Sequence, residues 1–468
     1  MTQTTSSRPS RQPGPSTGGP RRSGRLDQRS SGVASSRGRA VRAAGPGNRW
    51  AAVRSAFEGT PGRLRLLGIG TVLACLVLSL AGSTAFFLRQ SALSAARADA
   101  AQLIRVQEIA TQLVKADSLF TNGYLAYGLE STTNRTDYDA AVAEASNLIA
   151  EAARAQPADA PRLAEVNDAL TQYTARVATA RANNNLNYQV AIGYLHQASD
   201  LLRGNTKTRA TGMLPTLEAL MGANNQRVDD AYARSRWATA VLAGTFLLAV
   251  GGLVAVQVRL ARMTHRYLNL PLVGASATVL LVLAVGAVVM IATQSRANSV
   301  YDTSYTQLRK IAAARIDAYT AKSAESISLI YQGTGGDYTT ANAQYDRATA
   351  DTAAKLARIG GIDQLNAWKA AHGKVFEQAA SKTPGAWQEA AKAATDVGSA
   401  ANPTINHTFA AFDGATLALL KDQAQAVDSG LRQGHLPLLL LTWAAVVAGI
   451  LAAVVGWAGI AQRLEEYR

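Results

Sequence analysis

Hydrophobic residues follow two different rhythms along this chain. Four runs, 66–88, 237–258, 270–293 and 436–461, are apolar and contain no Asp, Glu, Lys or Arg. Each has at least 22 residues, and crossing a bilayer as a helix takes about 20. Lipid offers the backbone no hydrogen-bond partners, so such runs must satisfy their own as helices. The competing reading is a buried helix of a soluble core. Four runs of this length with basic flanks argue against it, and the sequence reads as an integral membrane protein.

Between the runs the rhythm changes to steps of three and four. Leu103, Val106, Ala110, Leu113, Phe120, Tyr124 and Tyr127 form one stripe that also contains Asp117; this is the seam of a packed helical bundle. No Pro or Gly cluster interrupts 88–119, so the stripe predicts a helix continuous with the first apolar run. Such a rod stands about 60 Å beyond the membrane at roughly 1.5 Å per residue. Breaks are expected at Ser131-Thr132-Thr133-Asn134, Gln156-Pro157-Ala158-Asp159 and Gly204-Asn205-Thr206. A last helix returns through Leu217, Leu220 and Val228. In the second long segment the outgoing stripe is Leu308, Ala312, Ile316, Tyr319, Ser323, Ile327 and Ile330, turned by Gly333-Thr334-Gly335-Gly336-Asp337. Later helices are expected at about 339–358, 363–381 and 403–430. Strand-like alternation is absent.

The predicted fold is all-α: four transmembrane helices, two extracytoplasmic four-helix-bundle-like domains in tandem, and a disordered basic N-terminal tail. The expected divisions are a tail, 1–62; spans at 63–90, 236–258, 270–294 and 435–461; bundles at 91–235 and 295–434; a cytoplasmic loop, 259–269; and a cytoplasmic C-terminus, 462–468. Residues 1–62 are mostly Ser, Gly, Pro and Arg, too few large apolar groups to offset the entropy of ordering. Their arginines suit anionic lipid heads, nucleic acid or an acidic partner. Without interleaved aromatic residues, the expectation is a tail along the membrane and no nucleic-acid partner.

Charge sets the orientation. Thirteen arginines against Asp27 and Glu58 precede the first run, and Arg259, Arg262 and Arg266 occupy the short loop between the second and third. The long segments are near neutral, with 13 bases and 15 acids over 97–234 and 14 and 13 over 296–432. The positive-inside rule then puts both termini and the short loop in the cytoplasm and both long segments outside, in a multi-pass plasma-membrane protein. A cleaved signal peptide is a poorer account of the first run, which starts far from Met1. Cys75 follows Val72-Leu73-Ala74 as in a lipoprotein site, but it lies in mid-run and reads as a small hydrophobe.

The halves also correspond. At an offset of 205, Gln102-Leu103 falls on Gln307-Leu308, Ala116 on Ala321, Ser118 on Ser323 and Gly128 on Gly333. Both glycines are expected to end a long helix. The layout predicts a tandem duplication.

Composition narrows the function. The 468 residues are 48% hydrophobic and 17% charged, with one cysteine and five histidines; a soluble chain averages about 25% charged. A disulfide framework and a multi-cysteine metal site are excluded. His196, His372 and His407 have no second ligand at helical spacing, and Gly333–Gly336 lacks the Lys-Ser/Thr ending of a phosphate loop. There is no nucleophile elbow, zincin or kinase signature, so neither an enzyme nor a cofactor is expected. The four apolar runs contain no charged residue, a poor beginning for a carrier. Transmembrane signalling remains, because packed helices that cross a bilayer can carry small shifts. The cytoplasmic faces are short: Arg259, Arg262 and Arg266 in the loop, and Arg463, Glu465, Glu466, Tyr467 and Arg468 at the end. Output must pass to a separate protein.

Two further features are candidates. Asp117 lies in an apolar seam, where a lone carboxylate costs several kcal/mol unless paired. It reads as a register-setting pair with an arginine such as Arg176 or Arg181, or as a polar switch. Arg181, Asn183, Asn184 and Asn185 end a helix far from the membrane, with Tyr188 and Tyr194 nearby. They either terminate that helix or form an exposed polar surface that docks a partner.

Several stretches resemble GlnX-type membrane proteins of actinobacteria. They are Arg105-Val106-Gln107-Glu108-Ile109 through Lys115-Ala116-Asp117, Asn122, Gly128-Leu129-Glu130, Tyr138-Asp139, Ala180-Arg181-Ala182-Asn183-Asn184, Tyr194-Leu195 and the ending Ala461–Arg468. The resemblance implies a relay between an extracytoplasmic solute-binding lipoprotein of the glutamine-binding type and the cytoplasmic serine/threonine kinase PknG, responsive to aspartate or glutamate. The alternatives are a direct small-molecule receptor and a structural envelope scaffold, and a homo-dimer is a further candidate assembly.

Overall fold

The computed structural model describes residues 59–125, 130–184, 188–205, 211–264, 270–381 and 383–465. Nearly all of them are helical, and no strand occurs among them. In order the helices are α1 (Gly59–Tyr124), α2 (Thr132–Ala155), α3 (Ala160–Asn184), α4 (Tyr188–Arg203), α5 (Met213–Thr264), α6 (Leu270–Val300), α7 (Thr306–Thr334), α8 (Thr339–Leu356), α9 (Ile362–Ala380), α10 (Ala386–Thr395), α11 (Ile405–Arg432) and α12 (His435–Glu465). A 3₁₀ turn, Pro157–Asp159, precedes α3, and a π-helical turn, Tyr301–Tyr305, joins α6 to α7.

Four of the described stretches are long and apolar enough to cross a membrane, which makes this a multi-pass membrane protein. The outward faces of these stretches are greasy: Leu80 is 67% exposed, Leu247 71% and Trp443 65%. A soluble protein rarely presents so large a contiguous apolar surface; lipid covers it at no cost. The inward faces depend on small residues. A Cβ on Gly449 would collide with Ser79, and one on Gly286 with the Phe86 ring, so glycine sets how closely these helices approach.

The expected breaks fall at capped ends. Ser131 Oγ accepts from the Asn134 N–H at 3.0 Å and starts α2. Pro157 opens the 3₁₀ turn, where its missing N–H is not needed. After α7 the chain reverses at Gly335, in the left-handed region at φ 69°, and the Gly336 N–H returns to the Tyr331 carbonyl at 2.8 Å. Gly333 has a different role from the expected cap: the Trp387 indole lies on it, leaving no room for a Cβ. Its counterpart, Gly128, lies outside the described residues, as do the tail before residue 59 and Tyr127.

Beyond the spans, the outer part of α1 packs with α2, α3, α4 and the start of α5 in a first bundle; α7 to α11 form the second. The second bundle contains one helix the periodicity did not separate, α10, whose alanines Ala390 and Ala394 are buried. Of the pairs related by the 205-residue offset, Leu103 and Leu308, Ala116 and Ala321, and Ser118 and Ser323 are all buried, whereas Gln102 is buried and Gln307 only half-buried. The outgoing helices differ, since α1 is continuous over 66 residues whereas its counterpart passes through the π turn.

Candidate functional site

The polar groups that matter lie where helices of the bundles meet. Asp117 is 2% exposed. Its carboxylate accepts from Arg203 Nη2 at 2.6 Å, from Ser323 Oγ at 2.7 Å and from the Tyr173 hydroxyl at 3.5 Å. Arg203 also donates to Ser323 at 3.0 Å. One carboxylate thus ties α1, α3 and α4 of the first bundle to α7 of the second. The arginine is neither Arg176, which is exposed, nor Arg181: α4 folds back along α3 and delivers Arg203 to the level of Asp117. Burial pushes the Tyr173 hydroxyl pKa well above its usual range, and the charge of Asp117 adds to this.

Two more contacts join the bundles. The Tyr331 hydroxyl meets His196 Nε2 at 2.6 Å with the rings stacked, and Asn122 Nδ2 donates to the Ala394 carbonyl at 2.9 Å. The joint is polar at each of these points.

At the outer end of α3, Arg181 Nη2 pairs with Glu130 at 2.8 Å, and its guanidinium lies 4.3 Å over the Tyr138 ring. Phe120, Gly123, Tyr124, Arg135 and Asn184 complete a pocket of about 190 Å³ around this pair. Asn184 Oδ1 and Arg181 Nε are buried there without partners. Asn183 turns away and donates to the Thr179 carbonyl of its own helix at 2.8 Å. Tyr194 is half-buried against the bundle core. Asn185 and the Tyr188 side chain lie outside the described residues.

At the membrane-proximal end of the first bundle, Asp159 is 1% exposed. It accepts from Arg227, from Asn224 at 2.9 Å and from Gln102 at 3.2 Å. Burial alone would raise its pKa, but Arg227, Asn224 and Gln102 together hold the carboxyl below its ordinary value. In the second bundle Glu325, 1% exposed, pairs with Lys322 and accepts from Trp368 Nε1 and faces His372 Nδ1, both at 3.1 Å. Here too burial opposes ionisation, and Lys322 and His372 outweigh it to lower the pKa. The His372 ring is sandwiched between Tyr345 and Phe376. Sequence reading missed Lys322 and Glu325; two opposite charges three residues apart, flanking the apolar stripe of α7, were the available signal.

On the opposite side of the spans, Arg259 and Arg262 are exposed on the last turns of α5 and line a hollow with Leu66 and Thr71 of α1. Arg266, Glu466, Tyr467 and Arg468 lie outside the described residues. Arg463 and Glu465 are in the last turn of α12, with side chains outside the description. Among the described residues, no group of three or more His, Cys, Asp or Glu is placed to hold a metal.

No curated protein and no solved structure matches the chain. Residues 92–233, less than a third of the sequence, match the family model described as the actinobacterial sensor domain. That stretch begins just beyond the first apolar run and ends before the second, so it comprises the whole first bundle, including Asp117, Asp159 and the Arg181 pocket. The protein is therefore similar, over its first bundle, to an actinobacterial sensor domain, here set between two of the four membrane-crossing helices.

Proposed function

We propose that the chain is a non-enzymatic transmembrane relay. An extracytoplasmic solute-binding lipoprotein loaded with aspartate or glutamate engages the paired bundles, and a cytoplasmic serine/threonine kinase receives the signal at the short loop and the C-terminal end. One observation carries this reading: α1 is a single helix from the core of the sensor-like bundle through the first apolar run. A shift at Asp117 therefore has a rigid route across the bilayer. Couplings of this type are worth about 1–3 kcal/mol, the scale of one hydrogen-bonded charge pair. Both termini are assigned to the cytoplasm on the arginine distribution.

In cells, aspartate or glutamate should change phosphorylation of the kinase's substrates only when this chain is present. Removal of residues 463–468 should abolish the response while the protein still inserts. Unaltered phosphorylation in the deletion strain refutes the relay. Labelling of a cysteine introduced at exposed Thr171 by a membrane-impermeant maleimide tests the orientation, and protection in intact cells reverses it.

The direct receptor is the second reading, favoured by the Arg181 pocket, where Arg181 and Arg135 oppose Glu130. Calorimetry on the full chain with free amino acid and no lipoprotein separates the two: heat of binding that Arg181→Ala removes favours the receptor.

A further inference from the structure

On the bundle side of the membrane, α1 and the junction between α11 and α12 enclose an open groove of about 650 Å³. Its polar wall holds Arg97, Arg105, Arg432 and His435; its apolar wall includes Leu93 and Leu436. Three guanidinium groups face a single lining carboxylate, Asp428. Arg97 engages Asp428 at 2.5 Å, and Arg105 reaches out of the groove to Glu151 at 2.8 Å. Arg432 is exposed and has no ion pair or hydrogen bond among the described residues. The groove is thus electropositive, with one free arginine. The Gln90 amide, which meets His435 at 3.0 Å, has its Oε1 buried without a partner.

Position gives the second half of the case. The first apolar run ends at residue 88, two residues before Gln90, and the last begins at Leu436, the residue after His435. The end of the polar wall formed by His435 and Arg432, with Gln90 opposite, therefore sits at headgroup height, and Arg97 stands about two turns further out on α1. Below that end the apolar wall continues into the bilayer. Leu436, Leu440 and Trp443 are 63%, 61% and 65% exposed at helical steps of four and three on α12, and Phe87 and Leu80 of α1 are exposed in the same way. A site that is cationic at one end and opens onto lipid-facing hydrocarbon at the other is complementary to an anionic amphiphile.

We propose that this groove seats the phosphate of an anionic phospholipid from the bundle-side leaflet, with its acyl chains along the exposed face of α12. Arg432 supplies the free guanidinium, whose paired N–H groups match two phosphate oxygens. Arg97 contributes from its pair with Asp428, and His435 caps the headgroup. The lipid bridges the sensor-side helix α1 to the last span, so bilayer composition becomes an input to the same helices. The assignment requires only that the apolar helices lie in a membrane, and it stands whether or not the relay to a kinase does.

The test uses the full chain purified in a neutral detergent. Thermal unfolding and native mass spectrometry are compared with phosphatidylglycerol, with phosphatidylcholine of identical chains, and with glycerol phosphate lacking chains. Phosphatidylglycerol should raise the midpoint and stay bound, phosphatidylcholine should bind about tenfold more weakly, and glycerol phosphate should do little. Arg432→Gln, at an exposed unpaired position, should fold normally and reduce phosphatidylglycerol binding to the phosphatidylcholine level. Arg176→Gln, at an exposed position on α3 of the first bundle, should not. Equal responses to the two lipids, or an unchanged Arg432→Gln protein, overturn the proposal. A full shift with glycerol phosphate replaces it with a soluble-anion site, and an equal loss in Arg176→Gln reduces it to bulk charge.

Discussion

The two bundles share a layout but hold their most deeply buried carboxylates differently. In the second bundle Lys322 and Glu325 are 5% and 1% exposed at their side chains and lie behind Trp368, Tyr345 and Phe376. In the first bundle the acids are equally buried but their arginines are not: Arg203 is 20% exposed and Arg227 28%. Each of these pairs therefore has one foot in water. A sealed pair loses both hydration shells and is rigid or broken, with little between. A pair open on one side can exchange its arginine for solvent at modest cost. In the bundle that resembles a sensor domain both deeply buried carboxylates are thus paired at the edge of solvent, and one of those joints also holds Ser323 of the other bundle. The outgoing helices differ too, since α1 is unbroken and its counterpart passes through the π turn at Tyr301–Tyr305.

Breaking the sealed pair should have the largest effect. Glu325→Ala leaves Lys322 buried without a partner and should cost about 3–5 kcal/mol, read as a lowered thermal midpoint. The paired change Lys322→Met with Glu325→Leu should recover most of that loss. If the single variant is as stable as the parent, the second bundle is not sealed.

Asp117→Ala should come next, at about 2–3 kcal/mol, because it strands Arg203 where some water reaches. A double-mutant cycle with Ser323→Ala should show coupling of about 0.5 kcal/mol or more. Additive effects would mean that the bundles do not communicate through this carboxylate.

Acid should destabilise both regions. Asp159 and Glu325 have pKa values held below the ordinary carboxylate range when folded. Each contributes stability that is complete above its unfolded value and is lost as pH falls through the depressed folded one. Asp159→Asn should flatten the loss of stability on acidification, measured by denaturant unfolding from neutral pH downward. An unchanged pH slope would deny Asp159 that role.

Arg181→Ala should cost less, about 1 kcal/mol, from a partly solvated ion pair and the contact with Tyr138. The smallest effect is expected at Arg105→Ala, since its partner Glu151 is 53% exposed at the side chain; such surface pairs contribute about 0–1 kcal/mol. A large loss at Arg105 with none at Arg181 would invert the ranking by burial.

Much of the helical framework was legible from local pattern. Run length identified the four membrane-crossing helices, and three-and-four spacing identified α1 and α7, because hydrophobic period and hydrogen bonding within a helix depend on neighbours in sequence. Breaks at Ser131 and Pro157 were readable for the same reason, since caps are made within a few residues. The small alanine-rich α10 was not readable, as alanine gives almost no contrast between faces.

The partners of the buried charges belonged to tertiary structure alone. Asp117 meets Arg203 across 86 residues, and Asp159 meets Arg227 across 68. Periodicity could say that Asp117 needed a cation, because an unpaired buried carboxylate is too costly to keep. It could not choose among Arg176, Arg181 and Arg203, since that depends on how far α4 returns along α3 and on which helix faces abut. The sequence determined which segments are helices and which of them are apolar enough for lipid. Packing decided which polar groups meet, because those distances are set by helices crossing in space and leave no period in the chain.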